Sequence, residues 1–161
     1  MIVKYFSSIV SNNQLTVPLI PPSEPPKSVS LSVFDVTRSD NDVTAPRQRL
    51  TPQDGRVTVA GGRSYRVECE AQGSRPAASL LWLLDSAPLS SSAPFNFTER
   101  SEGFTGGQHG TDSRSALTIR PGRHDADVHL TCRAYNPALN ASISHTLTIA
   151  FQCECRRWLK V

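Results

Sequence analysis

The residues able to do covalent chemistry in this 161-residue chain are its four cysteines, and two of them sit in a regular pattern. Cys132 lies in a stretch where Val128, Leu130, Cys132 and Ala134 alternate with His129, Thr131 and Arg133. Cys69 lies in another, where Tyr65, Val67, Cys69 and Ala71 alternate with Arg66, Glu68 and Glu70. Such alternation marks a half-buried strand, so both sulfurs face the apolar side. Two thiols turned to one core form a structural disulfide in an oxidising compartment, whereas a redox-active thiol needs exposure and a depressed pKa. A Cys69–Cys132 bond is therefore expected. Cys153 and Cys155, two residues apart, lie on one face of an extended chain with Cα atoms roughly 6.5–7 Å apart and parallel side chains, a geometry in which they bond to each other poorly, which leaves intermolecular pairing open.

Other chemistry has little to stand on. A zinc site wants four ligands at recognisable spacings, and the chain offers one Cys-x-Cys pair and four scattered histidines. His124 and Asp125 adjoin in a turn, but no Gly-x-Ser-x-Gly elbow and no third partner accompany them. No glycine-rich phosphate loop precedes a helix. The expectation is no enzyme activity, no cofactor and no metal. Two asparagines do head glycosylation sequons, Asn96-Phe97-Thr98 and Asn140-Ala141-Ser142.

The elements that must position these residues are short strands. Ser115, Leu117 and Ile119 alternate with Ala116 and Thr118, a turn follows at Pro121–Asp125, and the Cys132 strand comes next. Trp82 lies in the apolar run Leu80–Leu84, between the two cysteines. Cys, Trp and Cys in this order among short strands are the signature of an immunoglobulin sandwich. The stretches Cys69…Gly73-Ser74-Arg75-Pro76-Ala77-Ala78…Leu81-Trp82, Ser115–Ile119 and Leu130–Pro137 resemble one set in particular. It is the constant-like domain that follows a variable-type domain in nectin, nephrin and sidestep-type cell-surface receptors, sidestep-like guidance receptors being nearest in wording.

The resemblance implies an all-β, two-sheet sandwich of about seven strands, with Trp82 packed on the disulfide and Leu117, Ile119 and Leu130 in the core. It implies an extracellular module of an adhesion or guidance receptor, acting by protein–protein recognition and domain spacing. Its partners would be other cell-surface or extracellular proteins. The alternative is a secreted immunoglobulin-domain protein acting as a soluble ligand or immune-type binder. Two positions depart from the pattern. A Tyr often stands two residues before the second Cys and ties the strand to its corner; here Leu130 stands there, so packing is expected to hold the corner. A turn Gly is replaced by Asp127, which tolerates left-handed backbone.

Bulk properties fit this reading. Seventeen Lys and Arg against 14 Asp and Glu, interspersed, leave a net charge of +3, too mild for a nucleic-acid surface. No stretch has the ~20 apolar residues of a membrane span, so membrane attachment would need a span outside this sequence. The apolar N-terminal run is too short for a secretion signal. The buried disulfide and the sequons nonetheless point to the extracellular side of the plasma membrane, as part of a larger receptor, or to secretion. A cytosolic domain with reduced cysteines is the bland alternative.

Taken in order, residues 1–27 read as the remnant of a preceding domain plus a stiff Pro-rich linker. Residues 28–151 are the immunoglobulin-like domain and 152–161 an unstructured tail. Ser28–Val36 is the first strand, Thr37–Gly55 a long surface loop, and Arg56–Ala60 a short strand. Gln72–Ala78 is a loop, Leu89–Asp112 a polar stretch with one or two short edge strands, and Asn136–Asn140 the last hairpin. The Gln72–Ala78 loop, the hairpin and the linker should share one end and face the preceding domain. His129, Thr131 and Arg133, alternating away from the core, form the expected partner-binding face. Arg114, Arg120, Arg123 and Arg133 could gather on one side, though acidic residues interleave them.

Overall fold

The computed structural model describes residues 21–36, 48–90, 93, 95–104, 111–122 and 126–152, with 100–104 as backbone. Residues 1–20, most of the long loop, Arg123, His124 and Asp125, and the cysteines 153 and 155 lie outside the described residues. The described chain is all strand: β1 (Ser28–Asp35), β2 (Gln48–Leu50), β3 (Arg56–Ala60), β4 (Tyr65–Ser74), β5 (Ser79–Leu84), β6 (Ala87–Pro88), β7 (Asn96–Phe104), β8 (Thr111–Arg120), β9 (Val128–Asn136) and β10 (Ala141–Gln152). They form two five-stranded sheets, ordered β2-β1-β4-β8-β7 and β3-β10-β9-β5-β6. All pairings are antiparallel except β3 with β10, which is parallel.

Alternation builds the core. Val33, Val67, Leu117 and Ile119 from one sheet meet Trp82, Leu130, Leu147 and Ile149 from the other, all essentially removed from water. Opposed inward faces are the packing of a β-sandwich. Cys69 on β4 and Cys132 on β9 bridge the sheets, with a Cα–Cα distance of 6.4 Å. Trp82 sits opposite Cys132 in the register of β5 and β9. Its indole N–H donates to Ser115 Oγ at 2.9 Å, and Ser115 lies opposite Cys69 in the register of β4 and β8. A buried indole N–H needs such an acceptor.

Four expectations need correction. The stretch Thr37–Gly55 is not loop throughout: Gln48–Leu50 adds an edge strand, with Leu50 opposite Val33. The loop expected at Gln72–Ala78 starts late, because β4 continues to Ser74 through a register shift between Ala71 and Ser74. Gly73 makes that shift possible, with φ +76 and Lys27 Cδ only 2.8 Å from where a Cβ would stand. The Ser- and Thr-rich stretch forms one nine-residue strand, β7, rather than short pieces. Asn96 is therefore the first residue of an edge strand, not a loop residue, and it is exposed. With these additions the described strands number ten instead of about seven.

The corner before Cys132 also differs from expectation. Leu130 is fully buried, but packing does not act alone. Asp127 accepts from Arg56 Nη2 at 2.5 Å and from the Phe151 N–H at 3.2 Å. Asp85 accepts from the His129 N–H at 2.8 Å, and its own N–H donates back to the His129 carbonyl at 2.9 Å. Carboxylates on neighbouring elements thus hold the start of β9 where a Tyr hydroxyl often does.

The bridge closes a loop of 63 residues, worth roughly 4 kcal/mol in the chain-entropy account. Replacing both cysteines by Ala should lower the stability measured by urea unfolding by about 2–5 kcal/mol. An unchanged urea midpoint would mean that the sheets align without the bond.

Candidate protein-recognition site

The outer faces of the two sheets differ in kind. On the first, charges are paired to one another. Arg66 Nε meets Glu68 Oε1 at 2.7 Å, Arg114 Nη2 meets Glu70 Oε2 at 3.0 Å, and Arg49 donates to Ser32. Gln72, donating its side-chain amide to Glu70, and then Arg114 hold the Glu70 carboxyl below the usual carboxylate range, against partial desolvation. Partly exposed pairs of this kind contribute little each.

The second outer face is nearly uncharged. His129, Thr131, Arg133 and Tyr135 on β9 stand opposite Thr148, Thr146, Ser144 and Ser142 on β10. His129 Nδ1 lies 3.1 Å from Thr148 Oγ1, and the Thr131 and Thr146 hydroxyls are 2.7 Å apart. On the other side, Leu81 of β5 stands opposite Arg133. Leu81, Tyr135 and Leu139 are the exposed large hydrophobic residues among those described. The sequence singled out His129, Thr131 and Arg133, and these fall on one face. It missed Leu81, the one exposed member of the leucine run around Trp82, and Tyr135, the next outward residue of β9. The basic residues do not gather: Arg114 and Arg120 belong to β8, in the first sheet, and Arg133 to β9, in the second.

One end of the sandwich carries a buried polar knot. Asn136 continues the inward parity of β9 and is fully buried. Its Nδ2 donates to the Glu24 carbonyl at 2.8 Å, and to Ser74 Oγ and the Arg75 carbonyl at 3.1 Å each. Its Oδ1 accepts from the Ala138 N–H at 2.9 Å. Glu24 and Arg75 exchange backbone hydrogen bonds of 2.8 and 2.9 Å, and the Lys27 N–H donates to the Gln72 carbonyl. Arg75 and Lys27 also reach the Glu24 carboxylate, at 3.5 and 2.9 Å. The segment from Glu24, read from sequence as linker, is thereby laid along the end of β4. The sequons sit at opposite ends: Asn96 opposite Arg120 at the far end of β8, and Asn140 in the turn beside the knot.

Among the described residues, no group of three or more His, Cys, Asp or Glu is placed to hold a metal ion. A groove of about 490 Å³ beside β2 and β3, lined by Leu50, Gln53, Asp54 and Arg56 among others, collects no paired acid and base. Arg56 there is already engaged by Asp127. No helix among the described residues is long and apolar enough to cross a membrane.

A disulfide-pinned sandwich of two sheets, with Trp82 beside the bridge, is the build of an immunoglobulin-like domain. The chain belongs to the family of CD80-like C2-set immunoglobulin domains, which residues 48–143 match. Domains of this set are typical of extracellular and cell-surface proteins. No curated protein sequence matches the chain significantly. Among solved structures, the crystal structure of Rst D1-D2 is 17% identical over 81% of this chain, with a TM-score of 0.53, and shares its fold. The chain spans about half of that structure's length, 51%. The titin M3 domain is 23% identical over 59% of this chain and 85% of its own, with a TM-score of 0.40. The C3 domain of an IgNAR antibody is 16% identical over 78% and 99%, with a TM-score of 0.47.

Two outcomes follow from the knot and the charged face. Asn136→Ala strips Ala138 of its acceptor and two carbonyls of a donor in a buried place, and should cost about 2–3 kcal/mol. Hydrogen exchange at the Glu24 and Arg75 amides should accelerate with it; unchanged exchange there would mean that the knot does not hold the segment. Glu70 is a depressed carboxylate, so the stability it adds is present above its unfolded pKa, about 4.3. It is lost as pH falls through the lower folded value. The stability gap between the parent and Glu70→Gln should be flat from pH 6 to 7 and close only below about pH 4.3; a gap that closes near neutrality contradicts this assignment.

Proposed function

We propose that the chain is an extracellular module of a cell-surface adhesion or guidance receptor, of the nectin, nephrin and sidestep kind. It works by protein–protein recognition and by spacing the domain before it. The observation that carries this reading is the end knot. A segment entering from the N-terminal side is held by backbone pairing of Glu24 with Arg75 and by Asn136, which suits a module whose work is to fix the angle of what precedes it. In this reading residues 1–27 come from a preceding domain and its linker, 28–151 form the spacing domain and 152–161 a tail. The disulfide suits an oxidising compartment, and the sequons at Asn96 and Asn140, both exposed, suit passage through the secretory pathway.

Direct contact with a partner uses the outer face of β5, β9 and β10. Its centre, Leu81 beside Arg133, joins an apolar anchor to a residue type enriched in interfaces. On the opposite face Arg66 already pairs with Glu68 and Arg114 with Glu70, and among the described residues no large hydrophobic side chain is exposed there.

The test is a pull-down or cell-aggregation assay with the parent ectodomain, with and without its upstream domain. Binding should need the upstream domain. Leu81→Asp and Arg133→Glu should weaken it by roughly tenfold or less if this face is auxiliary, and by more than a hundredfold if it is the main contact. If residues 16–151 alone bind as tightly as the whole ectodomain, the spacing reading is wrong.

A further inference from the structure

Tyr135 and Leu139 are exposed beside the one sequon that lies in a turn, at 36% and 43% of their surface. The Tyr135 hydroxyl donates to Asn140 Oδ1 at 3.1 Å. That bond takes the carbonyl oxygen of the amide, and among the described residues nothing engages Nδ2, the nitrogen to which a glycan is joined. Asn140 has φ +48, a left-handed conformation that Asn adopts more readily than other non-glycine residues. The fixed turn and the hydrogen bond together set the direction of the side chain toward Tyr135. The neighbours of Tyr135 in the ladder are small, Ser79 on β5 and Ser142 on β10. Ser142 is also the hydroxyl residue of the sequon.

We infer that Tyr135 and Leu139 form a shelf for the first sugar of a glycan on Asn140. The inference rests on the extracellular reading proposed above. An N-acetylglucosamine ring has an apolar face of axial C–H groups, and an aromatic ring with small neighbours is the surface it packs on. Removing such area from water is favourable in proportion to its size, and the Tyr135–Asn140 bond survives attachment because it uses only Oδ1. The glycan covers the end of the outer face nearest the knot. It leaves Leu81, Arg133, Thr131 and His129 as the part open to a protein partner.

The experiment compares the full chain secreted from mammalian cells with the same chain made in a bacterial periplasm. Ser142→Ala removes the sequon while keeping Asn140 and its hydrogen bond. In secreted protein, mass spectrometry should find Asn140 occupied, and Ser142→Ala should lower the melting temperature by roughly 2–4 °C. The loss should persist with Tyr135→Phe and vanish with Tyr135→Ala, a coupling that marks contact. In periplasmic protein Ser142→Ala should change nothing. Nitration of Tyr135 should be several-fold slower in the glycosylated protein, a readout that needs no tyrosine variant. Equal losses with and without the Tyr135 ring, or equal nitration, overturn the shelf. A bare Asn140 with an occupied Asn96 overturns it and spares the extracellular reading; two bare sequons overturn both.

Discussion

Two sheets that each present an apolar face can slide over one another unless something fixes their relative position. Here four residues do so as a closed set. Cys69 and Cys132 are bonded across the core. Trp82 stands beside Cys132 in one sheet, Ser115 beside Cys69 in the other, and the indole N–H of Trp82 donates across the gap to Ser115. The covalent bond limits what the unfolded chain can explore. The hydrogen bond answers a different need, since a large apolar ring can be buried there only if its one polar atom is satisfied. The remaining core, from Val33 to Ile149, fills space around a frame whose alignment these residues determine.

Alignment at the centre does not by itself hold the ends, where strands leave their ladders and backbone groups lose partners. At one end Asp127 and Asp85 take N–H groups of β10 and β9. Those carboxylates explain how Leu130 can replace a hydroxyl-bearing Tyr without loosening the corner. At the other end a single buried amide, Asn136, supplies both donors and acceptor for three converging segments. A buried polar group fully satisfied in this way fixes one arrangement, because any shift leaves several groups unpaired at once.

The central strands were legible in the sequence because each is buried on one face and so must alternate. Cys69, Leu117, Leu130 and Cys132 show this directly. The edges were not legible, for the converse reason. β2 and β7 have a neighbour on one side only, and their composition is polar enough to read as loop. The Gly73 shift was hidden as well, since a lone glycine between polar residues does not announce a bulge. Asn136 is the instructive case. It reads from sequence as the start of the last hairpin, whereas β9 runs on to it and buries it. What made it intelligible was Glu24, 112 residues away, and no local pattern reports such a contact. The proposed partner face was half legible: parity gave His129, Thr131 and Arg133, but Leu81 lay within an apolar run where outward and inward leucines look the same.

The two outer faces differ in what covering them would cost. Glu70 and Arg114, Arg66 and Glu68 neutralise each other across the first sheet, and a partner docking there would have to desolvate charges already satisfied. On the second, the hydroxyls of Thr131, Thr146 and Thr148 bond among themselves or to His129 and carry no net charge. Covering such a surface costs less desolvation, and Leu81 adds area whose burial is favourable. The same asymmetry bears on the edge of the first sheet. β7 is a nine-residue edge strand, and long edges invite pairing with another chain. Its first residue is the exposed Asn96, so a glycan carried there would stand at the end of that edge and hinder a second strand from aligning along it. Sugar at Asn96 and charge pairs on the adjoining face would keep one sheet solvated and single, leaving recognition to the other.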